Sequence, residues 1–488
     1  MASALDRRRT RTVLAVASTA ALTWLGTGMH PLWPLMWFAP LPVLIYAANT
    51  AWWRAAIAAA IAWLAGLLGF WHYLHDVLAI PGGFVAQFYG GEALACTLGV
   101  LLYRALLRRG ACAWAVVAFP AVRVAFEYLL VLAGPHGTAG SLAYTQIEFL
   151  PVLQLASVTG PWGITFLVVM FPAALAAAWQ LRGARGQALR IAGASVAAIA
   201  VVLAFGASRL VGDASAPRVR VGLVASDPPT SPYQAHAGAA TTALLDAYAR
   251  SAEALAAQGA QVVVIPEKIG TVVDRATPDS DAGLQALADR THAMIVVGLT
   301  HAVGAVEYNE ARAFAPGAPA RIYRKHHLIP GLEPLVPGTE LTLLAQPAGP
   351  WGVQICKDMD FPALSRDYGR AGAALMVVPA WDFVVDADWH GRMAVMRGVE
   401  SGFSVVRAAK QGNLSVSDSR GRILAEARSS EAPFATLVAS VPAVHVATLY
   451  ARFGDWFAWL AILALLGSLA RLVWPRRAGQ RRYSGFAV

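Results

Sequence analysis

The stretch Trp351-Gly-Val-Gln-Ile-Cys-Lys-Asp-Met-Asp-Phe-Pro362 runs from strand-forming residues, Val353 to Ile355, into a cysteine at the strand's C-terminal end. Lys357-Asp358 follows at once, charged and turn-prone, and a helix is expected to start near Pro362-Ala-Leu. A sharp strand-to-helix turn holds a side chain out of the sheet and aims backbone N–H groups at whatever that side chain attacks. Free cysteine is also among the most buried residue types, so Cys356 by itself reads equally as a packed thiol. The remainder of its domain decides between the two.

Composition limits the class first. The 488 residues are 57% hydrophobic and only 14% charged, and the mean hydropathy is +0.51. That is too apolar for a soluble enzyme and points to a membrane protein. Of the three cysteines, Cys96 and Cys112 lie in apolar runs, which leaves Cys356 as a free thiol in the polar part and no disulfide framework. The net charge of +10 is that of a nucleic-acid binder only until the arginines are placed. They sit at the ends of apolar runs, where they set topology.

Apolar segments long enough to cross a bilayer recur at roughly 11–28, 31–48, 53–74, 84–106, 111–133, 161–181, 190–209 and 453–473. The basic Arg7 to Arg11 before the first run resembles a signal-peptide start, but further spans follow directly, so a retained span is expected. The second run is the weakest, broken by Pro31, Pro34, Pro40 and Pro42. Arginines cluster on alternate sides of these runs, whereas loops 29–31, 75–83 and 134–160 contain no Lys or Arg. The positive-inside bias places both termini in the cytoplasm and the polar domain outside it. Glu92 and the pair Arg123/Glu127 fall inside runs; the latter two, four residues apart on one helical face, are expected to neutralise each other. The expected domains are thus a bundle of about seven spans over 1–210, a polar domain over 217–446 and a last span at 453–473.

Within 217–446 strands and helices alternate, with hairpins in the middle, which argues for a layered α/β sandwich. Three strand ends present a carboxylate, an ammonium and a thiol: Pro266-Glu267, Arg324-Lys325 and Ile355-Cys356. A thiol must lose its proton to a base, and a cation must stabilise both the thiolate and the oxyanion it creates. Lysine is scarce, occurring only at 268, 325, 357 and 410 while arginine abounds. A lysine kept at 325 beside Arg324 points to a need for a compact ammonium.

The order Pro266-Glu267, Lys325-His-His-Leu-Ile-Pro330 with Glu333, and Ile355-Cys356 before Phe361-Pro362 resembles the carbon–nitrogen hydrolase (nitrilase) superfamily. The eight runs flanking such a domain resemble its branch of membrane-embedded lipoprotein N-acyltransferases. The resemblance extends to Tyr308-Asn309, Ala380-Trp381 and the loop Ala143-Tyr-Thr-Gln146. It implies an α-β-β-α sandwich with a Glu-Lys-Cys triad: Glu267 as general base, Lys325 as oxyanion cation and Cys356 as nucleophile. Glu333 would be a supporting carboxylate near the acceptor amine, and the Lys357 N–H would complete the oxyanion hole. Tyr144, Gln146, Phe361 and Trp381 would contact substrate. The implied partners are a phospholipid acyl donor and a diacylglyceryl-lipoprotein acceptor in a bacterial inner membrane, with the catalytic domain on the outer side and no cofactor. The sequence departs from the branch at Lys357-Asp358, where an aromatic and a glutamate commonly follow the cysteine, and at Asp382, where a second aromatic follows Trp381.

A tethered amidase or nitrilase using water as acceptor keeps the same residues. A transporter or scaffold would more often show paired broken or charged segments, which are not found. Asp386, Asp388 and His390 have a metal-like composition without ligand-like spacing, and adjacent His326 and His327 cannot both face one metal. No phosphate-cradling glycine motif or nucleic-acid platform is present.

Overall fold

The computed structural model describes residues 2–211, 215–227, 235–274 and 277–474. The chain divides into two compact units. One takes in the described residues of Met1–Ala133, Gly140–Ser208 and Asp455–Val488; the other those of Gly134–Ala139 and Arg209–Gly454. The arginines at 476, 477, 481 and 482 lie outside the described residues.

The first unit is helical. Among the described residues six helices are long and apolar enough to cross a membrane: Trp52–Phe70, Gly82–Arg108, Cys112–Ala133, Pro161–Gln180, Arg185–Leu210 and Trp456–Val473. The first expected run lies in a helix over Ala2–Gly26 whose early turns carry four arginines. The second is two short helices, Trp33–Met36 and Leu41–Ala48, because its prolines cannot donate to a continuous ladder. The intramembrane charges form one cluster. Arg123 bonds to Glu127 at 2.9 Å and also to Glu92, so the pairing expected from spacing is extended by a carboxylate from the neighbouring helix. Trp63 Nε1 donates to Glu92, and Ser141 and Thr165 hydroxyls donate to Glu127. Buried charge is tolerated only when its partners are this complete.

The described residues of the second unit form thirteen strands: β1 Arg218–Ala225, β2 Val262–Val264, β3 Thr271–Val273, β4 Met294–Val303, β5 Val306–Phe314, β6 Arg321–Arg324, β7 Leu343–Leu344, β8 Trp351–Val353, β9 Leu375–Trp381, β10 Ser404–Lys410, β11 Asn413–Ser417, β12 Ile423–Arg428 and β13 Ala435–Pro442. They make two sheets, ordered β13-β1-β2-β4-β5-β6, with β3 beside β4, and β12-β11-β10-β9-β8-β7. The pairs β1/β2, β2/β4, β8/β9 and β9/β10 are parallel. Parallel neighbours require crossovers, supplied by helices Ala239–Ala257, Thr277–Thr291, Pro362–Arg370 and Ala387–Ser401.

Strand periodicity sorts the side chains. On β4, Met294 and Val296 enter the core between the sheets, while Ile295, Val297 and Leu299 pack outward beneath helices. On β9, Leu375 and Val377 face inward, and Met376 and Val378 face the helices on the other side. Both sheet faces are therefore buried, the signature of parallel strands covered by helices. The result is the expected α-β-β-α sandwich.

One boundary differs. The strand before the cysteine ends at Val353 instead of reaching Ile355. Asp358 Oδ2 accepts the Ile355 N–H at 3.1 Å, diverting the backbone from the ladder into the 3₁₀ turn Cys356–Asp360. The helix expected near Pro362 starts there and runs to Arg370.

Candidate active site

In open α/β sheets the ends of parallel strands collect functional groups, and here four strands deliver them. Glu267 follows β2, Cys356 follows β8, Trp381 ends β9 and Lys410 ends β10. Lys325 follows β6 and is held by its own backbone, its N–H donating to Asn309 O at 2.9 Å.

The structure brings Glu267, Lys325, Glu333 and Cys356 together. Lys325 Nζ donates to Glu267 Oε1 at 2.8 Å and to Glu333 Oε2 at 2.9 Å, with all three side chains buried. Asn309 Nδ2 bridges the same two carboxylates, at 2.6 Å to Glu267 and 2.9 Å to Glu333. Burial opposes the charge on Glu333. The Lys325 and Lys268 ammoniums and the Ile329 N–H nevertheless hold it down at about 2. Burial likewise opposes the charge on Lys325, but Glu267 and Glu333 raise it well above the ordinary lysine range. The cluster therefore provides a cation fixed between two carboxylates.

Cys356 sits in the left-handed region at φ 43°, a conformation that costs a non-glycine residue energy and is kept where surrounding structure imposes it. Its Sγ–H points at Trp381 O, 3.4 Å away. Burial, and then the charge of Glu267, push the thiol well above its usual range, against Lys325 and Arg407. The resting group is a thiol, and it needs a base before it can attack. Lys357 is the second residue of the 3₁₀ turn, whose leading N–H groups find no acceptor within the turn itself.

Asp358, a departure from the resembled family, is structural. Its carboxylate accepts from Tyr323 OH at 2.7 Å and from the N–H groups of His326 and His327 at 3.2 and 2.8 Å, and it pairs with His327 Nδ1 at 3.1 Å. It thereby ties the cysteine turn to the segment carrying Lys325. Asp382, the other departure, is buried against Arg407, with one bond at 2.9 Å.

The residues expected to meet substrate fall in both units. Phe361 stacks on His327 with ring centroids 3.6 Å apart. Trp381 has Lys410 Nζ 3.9 Å and Lys268 Nζ 5.4 Å from its ring centroid, and its Nε1 donates to Gln411. Tyr144 and Gln146 are buried in the helical unit, where Gln146 bonds to Trp37 Nε1 and Trp33 O. Asp386 pairs with His390, and Asp388 with Asn413 and Arg428.

Sequence reasoning missed Asn309, Lys268 and Lys410 as members of the site. Lys268 lies 3.5 Å from Glu333 Oε1, and Lys410 Nζ donates to Lys268 O at 2.8 Å. The signal was available: a chain with four lysines places every one of them here.

Two family models match. The apolipoprotein N-acyltransferase N-terminal domain covers residues 19–174, and carbon–nitrogen hydrolase covers residues 231–449. An apolipoprotein N-acyltransferase of Geobacter metallireducens is 28% identical over 91% of this chain and 92% of its own length. One of Gloeobacter violaceus is 27% identical over 98% of both chains. Among solved structures, an amidase from Nesterenkonia sp. is 19% identical, covering 50% of this chain and 95% of that one with a TM-score of 0.40. With relatives aligned nearly end to end and a distinct model matching each part, the chain belongs to the apolipoprotein N-acyltransferase family, enzymes that join a membrane-helical domain to a carbon–nitrogen hydrolase domain.

Proposed function

We propose that this enzyme moves a fatty acyl chain from a membrane phospholipid through a Cys356 thioester to the N-terminal amine of a diacylglyceryl-cysteine lipoprotein. Glu267 takes the thiol proton, and the thiolate attacks the ester carbonyl. Lys325 and the Lys357 N–H hold the oxyanion. Collapse breaks the ester bond, and the proton passes from Glu267 to the departing lysophospholipid oxygen. The acceptor amine then attacks the thioester, a carboxylate takes its proton, and the thiolate leaves and is reprotonated. The product is an amide.

The observation that carries this reading is the buried Glu267–Lys325–Glu333 cluster beside a thiol that burial keeps protonated. Such a thiol is inert without a base. The helical unit supports the lipid substrates. Both are membrane-anchored, and drawing an acyl chain into water costs about 0.8 kcal/mol per methylene. The arginine pattern supports placing the domain on the outer side of the inner membrane.

The experiment is mass spectrometry of Cys356 after incubation with phospholipid vesicles. An acyl adduct on Cys356 is expected in the wild type and in Cys96→Ala and Cys112→Ala, and none on Cys356→Ala. Phospholipid turnover by Cys356→Ala would refute the nucleophile.

A further inference from the structure

Three of the four lysines have an oxygen partner for the side-chain nitrogen. Lys325 has two carboxylates, Lys268 has Glu333, and Lys410 has a backbone carbonyl. Lys357 differs. It is 4% exposed, and among the described residues its Nζ has one hydrogen-bond partner, His136 Nδ1 at 3.4 Å. Asp360 and Glu333 favour its charge, but among the described residues Lys357 forms no ion pair with either, and the Asp360 carboxylate lies 3.7 Å from His390. Burial lowers Lys357 below the ordinary lysine range, and burial and then Lys357 lower His136. A buried cation without an ion-paired partner is costly, and an anion beside it lowers that cost.

His136 is held in place. It belongs to the segment Gly134–Ala139 of the same unit as Lys357. Thr138 donates its N–H and its hydroxyl to Asp360 O at 2.9 and 2.8 Å. Gly137 has φ 54°, and a Cβ there would lie 2.4 Å from Asp360 O, so only glycine allows the segment to sit this close. The two basic side chains are thus positioned on a fixed frame beside the nucleophile.

Because Lys357 directly follows Cys356, an anion meeting its ammonium must belong to a substrate whose reactive carbonyl lies at Sγ. In a glycerophospholipid the sn-1 ester and the phosphate are separated by the glycerol carbons. A lysine stem spans a similar distance. We infer that Lys357 and His136 form the subsite for the phosphodiester of the acyl donor and make the enzyme select donors bearing phosphate; this rests on the phospholipid-donor reading above.

The test measures acyl-enzyme formation by the full-length protein from phosphatidylglycerol and from diacylglycerol with the same chains. The phospholipid-to-diacylglycerol rate ratio falls about tenfold in Lys357→Gln, as loss of a charged hydrogen bond requires, falls also in His136→Gln, and is kept by Lys357→Arg. An unchanged ratio in Lys357→Gln overturns the subsite, including when both rates drop together, the mark of a proton donor or oxyanion group. A second measurement needs no variant. On the wild type, a dialkyl ether phospholipid competes at least about tenfold better than a dialkylglycerol, and equal competition overturns the subsite. If the wild type forms no thioester from either donor, the donor reading itself fails, and the subsite with it.

Discussion

Burial alters the chemistry of both Cys356 and Lys410. Lys410 is almost wholly buried, and burial, with the neighbouring Lys268 adding to it, brings it down to about 7 against the charge of Glu267. Its Nζ holds Lys268 O, and Lys268 has φ 49° immediately after Glu267, the proposed base, so Lys410 fixes the turn beside Glu267. Between pH 7 and about 10.5 the unfolded chain keeps the lysine proton that the folded protein has lost, so stability rises with pH over that window. Unfolding midpoints of detergent-solubilised wild type should climb from pH 7 to 9 more steeply than those of Lys410→Met; parallel curves would contradict the assignment. Glu267, Lys325, Glu333 and Cys356 were legible in the sequence because their residue types and strand-end contexts suit thiol chemistry. Asn309 and Lys410 were not. Their proximity depends on which strands pair and in what register, Thr300 with Asn309 and Trp381 with Lys410, and no local pattern encodes that.

At the scale of the element, β4 sets the position of Glu267. Gly298 N donates to Pro266 O at 3.1 Å, and a Cβ on Gly298 would lie 2.5 Å from Glu267 Cα. Gly298→Ala must push the Glu267 turn away from Lys325. Misplacement by an ångström costs a reaction about 100-fold, so Cys356 acylation should slow by about that factor while the purified protein remains folded; acylation at the wild-type rate would refute this role. The cysteine turn shows the limit of propensity. Val353 to Ile355 are strand formers, yet the strand stops at Val353 because a side chain three residues beyond Ile355 captures the Ile355 N–H. Periodicity reports which face a residue takes, but not where a carboxylate will compete with the ladder. The same holds for the second apolar run, where hydropathy read one segment and four prolines made two short helices.

For the whole molecule, the arginine alternation is the ground on which we propose that the sandwich lies outside the cytoplasm and the C terminus inside. Reporter fusions near residue 300 and at the C terminus should report opposite sides, and the same side for both would contradict that topology. The two units were separable in the sequence because their compositions differ so sharply; the inclusion of Gly134–Ala139 in the second unit was not, since that segment is set by tertiary contacts of Thr138 and Gly137 with Asp360. The central claim is a transfer in two steps, with Glu267 and Lys325 required to form the thioester and Glu333 placed for the incoming amine. A general base contributes about 10²–10⁴-fold, so Glu267→Gln and Lys325→Ala should block acylation, whereas Glu333→Gln should slow aminolysis at least as much as acylation. The most direct measurement is single-turnover acylation with labelled phospholipid, chased either with a diacylglyceryl lipopeptide or with buffer. The account predicts a thioester that persists in buffer and passes its label to the lipopeptide as an amide; rapid release of free fatty acid into buffer, not accelerated by lipopeptide, would contradict it and leave a membrane-tethered hydrolase.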